Sequence, residues 1–139
     1  MRVTPMGAAG ALLLLLAAPV GAEQQPPGVG QTQRGQASYY GPRFSGRTMA
    51  NGKPMNPQAN IAAHRTLPLG TTARVTNLQN GRSTVVRVED RGPYARGRVI
   101  DVTPQVAEQL DMKHGGTAPV AVTPLHQPER DGGAEEARR

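Results

Sequence analysis

Val88-Glu89-Asp90-Arg91-Gly92-Pro93-Tyr94-Ala95-Arg96-Gly97-Arg98-Val99-Ile100-Asp101-Val102-Thr103 carries the strongest architectural signal in the chain. The β-branched run Thr84 to Val88 leads into it, Gly92-Pro93 is a turn dipeptide, and Val99-Ile100 opens a second apolar strand. These residues read as strand, tight turn, strand, with Asp90 and Asp101 each at a strand edge. Carboxylates where strands give way to loops, near Arg91, Tyr94, Arg96 and Arg98, are candidates for acid/base work in a cleft. The plainer reading makes Asp90 a turn cap and Asp101 a residue that precedes a helix.

On the N-terminal side, Ala73 to Leu78 alternates before Gln79-Asn80-Gly81, and Arg82 to Glu89 pairs back as a hairpin. Gln36 to Tyr40, Ile61 to His64, Arg98 to Val102 and Val120 to Thr123 complete a set of six short strands. One helix is expected, with Thr103 as N-cap, Pro104 as first residue, and Val106, Ala107 and Leu110 as its buried stripe. The fold class is therefore mainly β, a small six-stranded closed barrel with one short helix, since closure removes exposed edges. No internal repeat of solenoid period is present.

The ends differ in composition from this middle. Residues 1–22 carry Arg2, a small and apolar run from Gly7 to Val20, and Val20-Gly21-Ala22, which suits signal peptidase. The run is too short for a bilayer span of about 20 residues. Residues 23–34 (EQQPPGVGQTQR) are expected to be a flexible leader, 35–125 the folded domain, and 126–139 (HQPERDGGAEEARR) a disordered charged tail. There is no cysteine, which removes disulfides, thiol chemistry, Cys-based metal sites and the lipid attachment that a lipoprotein needs. The expected location is periplasmic or secreted, free of a lipid anchor, and the chain is expected to be a monomer. The formal charge of +6 falls to +5 when Arg2 leaves with the signal, which favours an anionic partner. An exported chain meets wall polymers rather than nucleic acid.

Four blocks carry a resemblance. They are Ala37-Ser38-Tyr39-Tyr40-Gly41 with Phe44-Ser45-Gly46-Arg47; Ala50-Asn51-Gly52; Ala62-Ala63-His64-Arg65-Thr66-Leu67-Pro68-Leu69-Gly70-Thr71; and Val75 to Ser83 running into Val88-Glu89-Asp90-Arg91-Gly92-Pro93. In order and spacing they closely resemble the rare lipoprotein A family, from Gly35 to about Val122. The resemblance implies a double-psi β-barrel related to expansins. It also implies lytic transglycosylation of peptidoglycan, with a preference for peptide-poor glycan, an N-acetylmuramic–N-acetylglucosamine bond as target, and a 1,6-anhydromuramic product. No cofactor is implied.

Carried over by position, the resemblance implies Asp90, Asp101 and His64 as catalytic residues: Asp90 the acid, His64 in the cleft beside it, and Asp101 where expansins keep a second essential Asp. Tyr40, Asn51, Lys53, Arg65, Arg91 and Tyr94 are the expected substrate-binding residues. Active relatives carry Glu and, three residues later, Asp after the Ala-Asn-Gly block, where this chain has Lys53 and Asn56. That exchange keeps open the alternative of a non-catalytic, expansin-like glycan-binding or wall-loosening module. The family often adds a C-terminal domain for denuded septal glycan; this chain ends soon after the barrel, so septal targeting by that route is not expected. Tyr39 and Tyr40 alternate on a strand, so one of them belongs to the core. Glu89 should face away from Asp90. His64, His114 and His126 lack ligand spacing, and no metal site is expected.

Overall fold

The computed structural model describes residues 25–128; the expected export signal and the tail beyond residue 128 lie outside them. Six strands run in chain order: β1 Gln33–Tyr39, β2 Ile61–Ala63, β3 Thr72–Asn77, β4 Ser83–Asp90, β5 Arg98–Val102 and β6 Thr117–His126. One α-helix among the described residues, α1 Pro104–Gln109, lies between β5 and β6, and a short 3-10 turn spans Pro42–Phe44. The strands close into a barrel in the order β1-β5-β2-β4-β3-β6. β1·β5 and β2·β4 are parallel, and the other four pairs are antiparallel. Advancing every strand number by three maps this set of pairs onto itself, so the two halves of the barrel have one topology.

Alternation builds the core. Ala73, Val75 and Asn77 of β3 and Val86 and Val88 of β4 point inward, while Arg74, Val85 and Arg87 point out. Ala37, Ile100, Val102, Val120 and Val122 join them, and α1 adds Val106 and Ala107, with Leu110 just after it, all fully buried. Each buried Val, Ile or Leu among them contributes about 1.5–3 kcal/mol relative to exposure, and each Ala less. Thr103 caps α1 as expected: its Oγ1 accepts from Val106 N at 3.4 Å and donates to Ala59 O at 2.6 Å.

The structure extends two strands into segments expected to be unstructured. Gln33 and Arg34 pair with Val122 and Ala121, and His126 pairs with Thr72. Ahead of β1, Gly30 N donates to Pro124 O at 2.9 Å. These residues carry no apolar period; backbone pairing recruits them, and a burial pattern does not register it. The connection from β3 to β4 spans residues 78–82, and the side chains around it have a second task. Asn77 Nδ2 and Asn80 Nδ2 donate to Leu110 O at 2.9 and 3.1 Å, and Arg82 Nε donates to Gln109 O at 2.9 Å. The hairpin tip thereby satisfies carbonyls at the C-terminal end of α1.

Two irregularities in the ladders position the site. On β4, Val88 pairs with Ala62 and Asp90 with Ala63, which leaves Glu89 as an extra residue. On β5, Arg98 pairs with Gln36 and Ile100 with Ala37, which leaves Val99 extra. A bulge shifts the pleat by one residue and re-aims the side chains beyond it. Val88 and Ala62 remain inside, whereas Asp90 turns to the face of Ala63. The second bulge needs room, and Gly35 provides it: a Cβ there would overlap Val99 Cγ1.

Candidate active site

Ala63 is the centre of a row of side chains on one face of the barrel. It pairs with Asp90 on β4 and with Asp101 on β5, and Asp101 pairs in turn with Ser38 on β1. Directly paired residues project to the same side of a sheet, so both carboxylates face one space. Their backbones lie two strand spacings apart, about 10 Å. The small methyl of Ala63 between them leaves that space open. The result is a cleft of about 380 Å³ lined by Asp90, Asp101, Tyr40, Arg91, Tyr94 and Ala63, together with Arg47, Arg98, Phe44 and Met49.

Asp90 is held through both oxygens. Ala50 N and Arg91 N donate to Oδ1 at 2.8 and 2.9 Å, and Tyr40 Oη donates to Oδ2 at 2.8 Å. Burial and this contact, with the nearby charges of Asp90 and then Asp101, push the Tyr40 phenol far above its ordinary range. The phenol therefore remains a donor. Asp101 Oδ1 accepts from Ser38 Oγ and lies 3.6 Å from Arg98 Nη2. The Tyr40 ring meets Phe44 at 5.9 Å between centroids, and the guanidinium groups of Arg43 and Arg47 lie 5.7 and 5.2 Å from the Phe44 ring centroid. Aromatic faces and cations thus line one wall, a surface suited to stacking sugar rings and holding anionic substituents.

The remaining expected site residues lie elsewhere. His64 is 2% exposed and lines a neighbouring cavity of about 450 Å³ with Gln33, Arg65, Thr66, Tyr94 and Val99. Its Nδ1 accepts from Thr66 N and Leu67 N, each at 3.1 Å, which assigns the proton to Nε2 and makes that atom the donor to Gln33 Oε1 at 2.8 Å. Burial, then the charges of Arg65 and Arg91, lowers its pKa to about 4. Nδ1 holds the loop after β2 and Nε2 ties that loop to Gln33 of β1, so both ring nitrogens are engaged away from Asp90.

Asn51 and Lys53 line neither cavity. Asn51 Nδ2 donates to Glu89 Oε1 at 2.9 Å and its Oδ1 accepts from Lys53 N at 2.8 Å, which fixes the loop to β4. Glu89 also pairs with Arg87 Nε at 2.8 Å. Asn56 Oδ1 accepts from Gln58 N at 2.9 Å in a turn of its own. Arg91 lines the cleft but anchors Nη1 on Leu67 O and His64 O at 2.7 and 3.1 Å. Tyr39 packs against the core and Tyr40 faces Asp90, which divides the two tyrosines as alternation requires. Ser38, Arg47 and Arg98 are site residues that the sequence reading missed as such. Ser38 reaches Asp101 only through strand pairing, which sequence order does not reveal.

A closed six-stranded barrel with two parallel pairs and a cleft across its bulged strands is the double-psi β-barrel class. Solved structures that share the fold include the following three. The Streptomyces papain inhibitor superposes with a TM-score of 0.57 at 22% identity, covering 73% of this chain and all (100%) of that one. An expansin of Clavibacter michiganensis gives 0.54 at 22% identity over 70% of this chain and 52% of its own. A variant of that expansin, in complex with cellohexaose, gives 0.53 at 21% identity over the same shares, 70% and 52%. Residues 32–122 match the lytic transglycolase family, and the chain belongs to it. Relatives named endolytic peptidoglycan transglycosylase RlpA include those of Campylobacter jejuni, 51% identical over 92 residues, and Neisseria meningitidis, 47% identical over 91 residues. Both alignments cover 66% of this chain, but only 34% and 38% of those relatives.

Proposed function

We propose that the chain is an exported lytic transglycosylase that cleaves glycan strands of peptidoglycan, acting on peptide-poor glycan in the periplasm or outside the cell. The observation that carries this reading is the placement of Asp90 and Asp101 on either side of Ala63 in one cleft, with Asp90 oriented by three donors. Family membership and relatives whose names state this activity support it.

The chemistry needs one group that gives and then takes a proton. Oδ1 of Asp90 is engaged by two backbone N–H groups, so Oδ2, beside the Tyr40 phenol, is the oxygen that exchanges the proton. A protonated Asp90 delivers it to the glycosidic oxygen as the bond from muramic C1 breaks. The muramic C6 hydroxyl then bonds to C1, and its proton returns to Asp90. No water is consumed, and the product carries a 1,6-anhydro ring. The Asp101 carboxylate, held by Ser38 and Arg98, faces the same space and stabilises positive charge that develops at C1. His64 acts as a positioning residue, through Gln33 and the loop that carries Arg65. The test is incubation of the purified protein with peptide-free glycan strands, with the ends of the products identified by mass spectrometry.

A further inference from the structure

We infer that the cavity beside the cleft, on the other side of Tyr94, is a subsite for a carboxylate carried by the bound strand, with Arg65 as its specificity-determining residue. This rests on the glycan-cleaving reading above and names the substituent that the site reads.

Tyr94, 74% exposed, lines both spaces, so a chain lying over Asp90 and past this ring enters the second cavity. The cavity holds about 450 Å³, and no acidic side chain is among the residues that line it. Arg65 is exposed on its wall and forms no ion pair among the described residues. The second donor is set indirectly. Two backbone N–H groups fix the His64 tautomer, His64 Nε2 donates to Gln33 Oε1, and the Gln33 amide is thereby oriented with its NH₂ group unengaged by any described residue. A guanidinium and an amide NH₂ beside an aromatic ring offer donors and one positive charge. An acceptor-only anion fits that set, and a carboxylate is the anion that muramic strands supply. Two sources exist: the lactyl carboxylate, which is free only where the stem peptide is missing, and carboxylates of the stem peptide itself.

The test measures binding of soluble glycan fragments by titration calorimetry, in an Asp90→Asn background that prevents turnover. Three probes are compared: peptide-free fragments with free lactyl carboxylates, the same fragments with the lactyl groups amidated, and fragments that bear stem peptides. Arg65→Gln is expected to weaken binding of carboxylate-bearing fragments about tenfold, the size of one hydrogen bond to a charged group, and to leave amidated fragments unchanged. Gln33→Glu keeps an acceptor for His64 but sets a negative charge against the ligand, and is expected to weaken the same fragments at least as much. A loss confined to the peptide-free probe assigns the lactyl group; a loss confined to the peptide-bearing probe assigns the stem. Equal effects on charged and amidated fragments, or none, overturn the subsite and leave the glycan reading standing. No binding of any fragment by the Asp90→Asn protein overturns both.

Discussion

Tyr40 donates its phenolic hydrogen to Oδ2 of Asp90 at 2.8 Å, across 50 residues of sequence. The contact joins the end of β1 to the end of β4 at the point where the proposed chemistry needs a carboxyl of fixed direction. Tyr40→Phe keeps the ring against Phe44 and removes only this donor. The expected outcome is a rate lowered by roughly 10- to 100-fold with little change in glycan affinity, the size of one hydrogen bond to a charged group. Steady-state assays on soluble strands, with KM and kcat separated, check it.

The pH dependence of stability should carry the signature of His64. Its folded-state pKa is lowered to about 4 from an ordinary 6.5, so between those values the unfolded chain binds more protons than the folded one. The contribution is fully present above about pH 6.5 and is lost as the pH falls toward 4, by an amount on the order of 3 kcal/mol. Urea melts at pH 4, 5, 6 and 7 measure this slope. His64→Gln should flatten it, and an unchanged slope would show that other groups set the acid sensitivity.

Gly35 is required by packing. Val99 Cγ1 occupies the position that a Cβ would need, and Gly97 O lies 3.2 Å from that position. Gly35→Ala should cost about 1–3 kcal/mol, as overpacking does in a well-filled site. Adding Val99→Ala should recover part of the loss, and thermal unfolding of the two variants tests this. A fully additive penalty would mean that the two positions do not compete for one space.

Lys53→Glu with Asn56→Asp installs the carboxylates that the family resemblance implies at these two positions. Neither residue lines the cleft, and Asn56 only accepts from Gln58 N, which an Asp also does. The double substitution is therefore expected to change the cleavage rate less than about threefold, within the range of exposed charge changes. A large gain in rate would place these positions in the substrate path.

The strands were legible because half-buried strands write their burial into alternation. Val75, Asn77, Val86 and Val88 all face the core. α1 was legible from its cap, Thr103-Pro104, and from Val106, Ala107 and Leu110. Asp90 and Asp101 were legible as candidates, but their meeting was not. It depends on a strand order that brings β4, β2 and β5 side by side, and on a bulge at Glu89 that turns Asp90 away from the core. His64 sits in a sequence block next to the site. Its burial and its two backbone donors arise from how the loop after β2 folds back, and no local pattern encodes that.

Lytic cleavage by Asp90 is tested most directly by mass spectrometry of peptide-free glycan strands digested by the wild-type protein and by Asp90→Asn. An amide preserves the shape of the carboxyl but cannot deliver a proton, and loss of a general acid typically costs about 10²–10⁴-fold. The wild-type protein is expected to leave 1,6-anhydromuramic ends, each lacking one water relative to a hydrolysed end, and the folded Asp90→Asn variant to show a loss of that size. Reducing muramic ends, or a fully active Asp90→Asn protein, would contradict it.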